Sequence, residues 1–334
     1  MELMSHVPPQ QEDDGTVIRF LTPDDAPAMR ALFADVFKHD MSEAFWRWKY
    51  GEGGSSGVGL FRNGELLSHY GAAGTAICFK GKPARAVQIV DVMVKPSARQ
   101  SVRKKGAFYL AGKYFAEWSV GYDRPYLTGY GFPHQRSMAL AEHMGLYARV
   151  GHMVQLDWDT ATAQAPGWLQ RIELLDAAGF ARCRAEIEAL WQQQQQDLVQ
   201  HIVVQKDAAW LQHRYLQNPD KRYQLALLRK RIGGRPLGLV VLKEEADKVQ
   251  LMDCIGPLHN IAALLTMARW LTRSSARPLL YTWCSAAFAL HFNHAGAVQK
   301  ELDIITPCTT RMPGPTPGEL HGHWWLLPGD TDFL

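Results

Sequence analysis

Long hydrophobic runs are missing from this sequence: none of its apolar stretches approaches the roughly 18 residues that a membrane-spanning helix needs. Its start, MELMSHVPPQQEDDG, is polar and acidic and lacks the apolar core of a secretory signal, so a cytoplasmic location is expected. Cysteine is sparse as well. Cys78, Cys183, Cys254, Cys284 and Cys308 are odd in number, widely spaced and without a C-x-x-C pair, which argues against a disulfide framework or a zinc site and for buried thiols. His291, His294, His321 and His323 cluster late in the chain, but no carboxylate or cysteine stands at ligand spacing beside them, so no metal is expected. The formal net charge is only +3, and basic and aromatic residues do not interleave, so neither a nucleic-acid partner nor a membrane is expected. Serine-bearing turns such as GYGFPHQRS do not make a Gly-x-Ser-x-Gly nucleophile elbow, so a hydrolase is not expected.

What is present is a folded, duplicated chain. Its 334 residues suit two domains, and a content of 47% hydrophobic and 21% charged residues is ordinary for a chain that folds unaided. Three segments recur in the same order. FWRWKYGEGG from Phe45 aligns with WLQHRYLQNP from Trp210, placing Lys49 on Arg214 and Tyr50 on Tyr215. VDVMVKP from Val90 aligns with MDCIGP from Met252, placing Asp91 on Asp253. RPYLTGYG from Arg124 aligns with RPLLYTWC from Arg277.

In the first copy TVIRFL alternates as a strand, and Thr22 with Pro23 marks a helix start. SEAFWRWKY reads as a short helix capped by Ser42, with Phe45, Trp46, Trp48 and Tyr50 as core. Two strands flank an Asn63-Gly64 hairpin signal, and ARAVQIVDVMV follows as a third. Helix, strand, helix and closing strand complete the order βααβββαβαβ. The expected division is a disordered tail over 1–16, a first domain over 17–158, a helical linker over 159–200 that includes the run Gln192 to Gln196, and a second domain over 201–334.

The strand ending in VDVMV feeds a loop with Arg99, Arg103, Lys104 and Lys105, then Gly106 and a helix. Unpaired N–H groups at a helix start, a residue without Cβ and several cations together suit an anion such as a pyrophosphate. The sequence Arg103-Lys104-Lys105-Gly106-Ala107-Phe108 resembles the coenzyme A signature of the GNAT superfamily, the Gcn5-related N-acetyltransferases, with Phe108 in place of the final small residue and a longer loop before Arg103. WRWKY, GFPHQRS and the closing GDTDFL resemble a bacterial two-domain subgroup.

The resemblance implies an α/β fold of two tandem GNAT-like domains, each a mixed, mostly antiparallel twisted sheet flanked by helices. The second copy is degenerate, because LHNIAALLTMARWL after its central strand has no Arg-x-x-Gly. It implies acetyl-CoA or another acyl-CoA as co-substrate, bound by Met93, Val94, Arg99, Arg103, Lys104, Lys105, Gly106, Ala107 and Phe108, and direct transfer to the amine of a small molecule or peptide. A backbone N–H near Met93 and Val94 would face the thioester carbonyl, and Asp91 is the candidate base. The tyrosine that often protonates the leaving thiolate is replaced by Ala141, so Tyr130, His134 and Tyr147 are the candidate acids. His134 also stands where the family often has an asparagine. Two other readings remain open, an acyl-CoA sensor or scaffold without turnover and a tandem-GNAT aminoacyl transferase that uses transfer RNA. The chain is expected to be a monomer or homodimer.

Overall fold

The computed structural model describes residues 7–51, 57–98, 106–294 and 296–331. Its elements run β1 (Gln10–Gln11), β2 (Thr16–Phe20), α1 (Ala26–Phe37), α2 (Glu43–Tyr50), β3 (Gly57–Arg62), β4 (Glu65–Phe79), β5 (Lys82–Val94), α3 (Ala107–Ser119), β6 (Thr128–Tyr130), α4 (Gln135–His143) and β7 (Tyr147–Asp159). From β2 to β7 this is the order read from the sequence. Then come β8 (Gln170–Leu175), α5 (Ala177–Arg182), α6 (Arg184–Asp197), β9 (Ile202–Val204), α7 (Ala208–Leu211), β10 (Gln224–Lys230), β11 (Pro236–Glu244), β12 (Lys248–Ile255) and α8 (Ile261–Ser274). The last elements are β13 (Leu279–Ser285), α9 (Ala289–Phe292), β14 (Val298–Thr309), α10 (Pro317–Leu320) and β15 (Trp324–Trp325).

Two compact units result, and they are interleaved in sequence. The first takes residues through Ala76, then Ala84–Val150 and Ile304–His321; the second takes Ile77–Pro83, Gly151–Asp303 and Gly322 onward. The late segment belongs to the first unit through backbone bonds from Ile305 N to Pro133 O at 2.8 Å, Thr310 N to Leu146 O at 3.1 Å and Tyr122 N to Pro313 O at 2.8 Å. Gln10 and Gln11, in the stretch expected to be a disordered tail, pair with Ile18 and Val17. The stretch expected to be a helical linker carries two helices and also β8, whose six residues are too few for periodicity to reveal.

In the first unit the strands lie in the order β1-β2-β3-β4-β5-β6. Ser42 caps α2 by accepting from Phe45 N at 3.0 Å, and Asn63 and Gly64 both take positive φ, as a two-residue hairpin turn requires. Helices α1 and α2 bury Met29, Leu32, Phe33, Trp46 and Tyr50 against Leu66, Val90 and Met93 of the sheet. Helix α3 packs Ala111, Tyr114 and Phe115 against Ile18, Val58, Tyr70 and Val87.

The second unit orders its strands β14-β7-β13-β12-β11-β10-β8, and the end of β4 pairs β9, which carries β15 on its other side. Its elements from α7 to β13 repeat those of the first unit from α2 to β6. Both copies pair their central strand with the next one in parallel over three residues only, Ala86–Gln88 with Thr128–Tyr130 and Lys248–Gln250 with Leu279–Tyr281. Beyond those residues each central strand runs on without that neighbour.

The second unit closes this opening with its own chain. Ser285 N donates to Leu326 O at 3.2 Å, and Gly329 lies so close to Asp253 that a Cβ there would come within 2.0 Å of its Oδ2. Helix α6 covers the helix-start side: Gln194 Nε2 donates to Cys254 O at 2.8 Å, and Asp197 accepts from Leu258 N at 2.7 Å. The second copy thus places a carboxylate of its own, Asp197, at the turn that leads into α8.

A chain ending after Trp158 lacks the Ile304–His321 segment of the first unit, so it should unfold at lower urea than the full chain with broadened amide resonances. A second test concerns Asp330, whose carboxyl is pushed up to about 6 by burial first, with Asp253 adding repulsion and Lys206 opposing. A carboxyl that holds its proton more tightly when folded loses stability as pH rises from its ordinary 3.8 to about 6. Unfolding free energies at both ends of that window should therefore fall less with pH in Asp330→Asn than in the native chain.

Candidate functional site

The first unit builds its site on β5. At Asp91 the strand backbone turns to φ +43, a left-handed conformation that costs a non-glycine residue energy and must be held by its surroundings. Three groups hold it. The Tyr50 hydroxyl and the Lys49 ammonium both reach Asp91 Oδ2, the latter at 2.7 Å, and His69 Nδ1 donates to the Asp91 carbonyl at 2.7 Å. Lys49 is only 6% exposed and Asp91 12%, so their attraction is poorly screened. Gly71 of β4 lies against the same kink; a Cβ there would stand 2.2 Å from Val90 O. WRWKY is thus the anchor of the kink, its tyrosine and lysine adjacent on the last turn of α2.

The second unit repeats the anchor with a different cation. Tyr215 donates to Asp253, while Lys206, fully buried, bridges Asp253 and Asp330, the latter at 2.9 Å. Arg214, the residue aligned with Lys49, instead donates through Nε to Gly329 O at 2.8 Å. Asp330 is the first aspartate of the closing GDTDFL, and this buried cluster accounts for it.

After the kink, Met93 points into the core beneath α1 and α2, and its carbonyl accepts from Ser68 Oγ at 3.0 Å. Val94 ends the strand half-buried. Arg99, Arg103, Lys104 and Lys105 lie outside the described residues. Gly106 takes the N-cap position of α3 in an extended conformation with no side-chain cap, and no acidic residue occupies the first turn. The leading N–H groups of α3 have no intrahelical acceptor, and the positive end of the helix dipole lies behind them. Phe108, which replaces the small residue of the signature, turns inward onto Tyr70 at a ring separation of 6.2 Å and leaves the helix start clear.

A cleft of about 380 Å³ opens at this helix start, lined by Gly106, Ala107, Leu110, Ser97, Ala98 and Leu67. Its far wall is acidic: Glu12, Asp13 and Asp14 line it together with Arg62, which pairs with Asp14 at 2.5 Å. Bonds from Thr16 and the charge of Arg62 hold the Asp14 carboxyl below its ordinary range. No sequence pattern announces this wall, because only the β1–β2 pairing brings the tail there.

The remaining candidates are placed in three ways. Tyr130 is buried and packs edge-on to Phe132. Tyr147 is hydrogen-bonded hydroxyl to hydroxyl with Tyr70, and burial pushes both phenols up. His134 is the N-cap of α4: its Nδ1 accepts from Ser137 N at 3.3 Å, which leaves the proton of the neutral ring on Nε2. Ala141 is fully buried beside Tyr109, Met144 and Leu146, and Trp46 is core. Among the described residues no group of three or more His, Cys, Asp or Glu side chains gathers as a metal site, and no helix is long and apolar enough to cross a membrane.

Residues 17–118 match the acetyltransferase (GNAT) domain family. No curated protein matches the sequence. Among solved structures, a probable N-acyltransferase of Enterococcus faecalis V583 superposes with a TM-score of 0.70 at 15% identity, covering 89% of this chain and 73% of its own. A GCN5-related N-acetyltransferase of Anabaena variabilis gives 0.66 at 12% identity, covering 88% and 72%. N-myristoyltransferase of Saccharomyces cerevisiae, solved with bound myristoyl-CoA, gives 0.56 at 9% identity, covering 93% and 87%.

The anchor is open to a direct test. Lys49→Met leaves a nearly buried carboxylate without its cation and should cost roughly 3 kcal/mol in urea unfolding. In an Asp91→Asn background the same change should cost much less, a coupling of more than about 1 kcal/mol.

Proposed function

We propose that the first unit of this chain, whose residues 17–118 match the acetyltransferase (GNAT) domain family, binds an acyl-coenzyme A and transfers the acyl group to an amine acceptor while both are bound. The observation that carries this reading is the pairing of a kinked β5, which runs on past its short ladder with β6, with the uncapped start of α3. The arrangement is present in the first unit and blocked in the second. The bound myristoyl-CoA of the yeast neighbour supports the acyl-CoA class of donor. Acetyl is the donor group we assign from the family match.

The chemistry needs an oxyanion donor, a route for the amine proton and a proton for the departing thiolate. Backbone N–H near Met93 and Val94, just past the kink, is the assigned donor to the thioester oxygen. Asp91 is assigned as the residue that positions that backbone, because its carboxylate is already committed to Lys49 and Tyr50. Asp253 keeps the same contact to tyrosine in a unit whose opening is filled. His134, at the exposed start of α4 and four residues beyond the end of β6, is the assigned donor of its Nε2 proton to the thiolate, and the proton that the acceptor amine loses, carried by water, restores the ring, so one proton passes in net from amine to thiol. Tyr147 has its hydroxyl spent on Tyr70, and Tyr130 is enclosed. The pyrophosphate is assigned to the N–H groups of Gly106, Ala107 and Phe108, with Arg99, Arg103, Lys104 and Lys105 supplying charge.

The same commitment of polar groups also favours a second reading, a sensor that binds acyl-coenzyme A without turning it over. Calorimetry with coenzyme A and acetyl-coenzyme A tests the shared part. Native chain should bind saturably, and Gly106→Glu should weaken binding at least about tenfold, or ~1.4 kcal/mol, by placing a carboxylate at the helix start. Neutralising the acidic wall with Glu12→Gln and Asp13→Asn should tighten it. Thiol release against an amine panel then separates the enzyme from the sensor, and absence of binding by native chain at millimolar ligand rejects both.

A further inference from the structure

The second unit holds three large apolar side chains out in water at one place. Trp168 is 76% exposed, Ile232 74% and Leu169 47%. Strands β8 and β10 pair with Gln170 opposite Lys230, so the turn that precedes β8 and the turn that follows β10 lie side by side. One residue ties them together. Arg231 N donates to Leu169 O at 2.6 Å, its Nε to Trp168 O at 2.7 Å and its Nη2 to Gln170 O at 3.3 Å. Each turn is also closed on itself, by Gln170 N to Gly167 O at 2.7 Å and Lys230 N to Arg235 O at 2.9 Å. A tip tied this way cannot fold its apolar side chains back onto the sheet.

Its charge is one-sided. Arg171, Lys230 and Arg235 are exposed around the apolar trio. The neighbouring acids face away: Glu173 and Glu186 both pair with Arg229, each at 2.6 Å, and Arg229 is buried. Asp176, exposed, lies past the far end of β8 from the tip, where it caps α5 by accepting from Gly179 N at 2.6 Å. What remains outward is tryptophan, leucine and isoleucine within a ring of cations.

We propose that this tip docks the protein on an anionic lipid surface, with Trp168, Leu169 and Ile232 entering the headgroup boundary and Arg171, Lys230 and Arg235 facing lipid phosphates and carboxylates. Charge complementarity selects the anionic bilayer, and the apolar trio selects it over nucleic acid. Leucine and isoleucine gain nothing against a phosphate backbone, whereas a bilayer removes them from water. The inference stands apart from the acyl-transfer reading, and it runs against the absence of a membrane partner expected from the sequence. Trp168 and Ile232 belong to segments more than sixty residues apart, so no linear pattern joins them.

The test uses the full chain in cosedimentation with vesicles of phosphatidylcholine alone, or with roughly one third phosphatidylserine, at low and physiological salt. Binding should require phosphatidylserine and weaken with salt. The Trp168→Ser, Ile232→Ser double variant should lose at least about tenfold in affinity with an unchanged melting temperature, since both side chains are exposed. Lys230→Gln with Arg235→Gln should weaken binding and flatten its salt dependence. Native protein that leaves serine-containing vesicles in solution, or a serine double variant that binds as native does, overturns the proposal. So does a tip whose variants abolish binding of total transfer RNA or self-association while vesicle binding is absent.

Discussion

A carboxylate set into the middle of a strand is the constraint around which both units are arranged. At Asp91 the backbone adopts a conformation that an aspartate does not hold unaided, and Tyr50, Lys49 and His69 hold it there. The short parallel pairing at Ala86–Gln88 precedes that position on β5, and the start of α3 with the cleft beside Gly106 follows it in the chain. Partial burial is what gives the contact its strength, since a tyrosine, a lysine and an aspartate on the surface would be screened by water.

The second unit shows the same device turned to a different end. Its aspartate, lysine and second aspartate are withdrawn almost wholly from water, where charge is tolerated only with close partners. The second aspartate comes from the closing segment of the chain, whose Leu326 and Gly329 lie against Ser285 and Asp253 beside the central strand. A duplicated fold has thereby divided its labour: one copy keeps an accessible strand edge and helix start, and the other spends the equivalent features on its own stability. The carboxylate of Asp197 makes the point in a single bond, since it accepts from Leu258 N in the turn that leads into α8.

Much of this architecture is legible along the chain. The order of elements from Thr16 to Asp159, the hairpin at Asn63-Gly64, the Ser42 cap and the pairing of Tyr50 with Tyr215 and Asp91 with Asp253 across a duplication all rest on local chemistry or repeated spacing. What escapes is whatever depends on chain segments meeting. Asp91 reads as a candidate base along the chain, and only the fold brings Lys49 and Tyr50 onto its carboxylate. Tyr147 reads as an available phenol until Tyr70 is found against it. Strand β8 escapes because six residues carry too little periodicity, and it is identified by its pairing with β10.

The sequence by itself determined the element order, the duplication and the glycine that opens α3, because caps, turns and alternation act over a few residues and repeats are visible along one dimension. Tertiary structure alone decided which polar groups remain available. It set the acidic residues 12–14 against the cleft, drew Ile304–His321 into the first unit, closed the second unit's opening with its own terminus, and gathered Trp168, Leu169 and Ile232 at one tip. The physical reason is that partnership and exposure belong to positions in space. A side chain's chemistry is written where it stands in the chain, but whether that chemistry is spent or free depends on residues that folding brings from tens or hundreds of positions away.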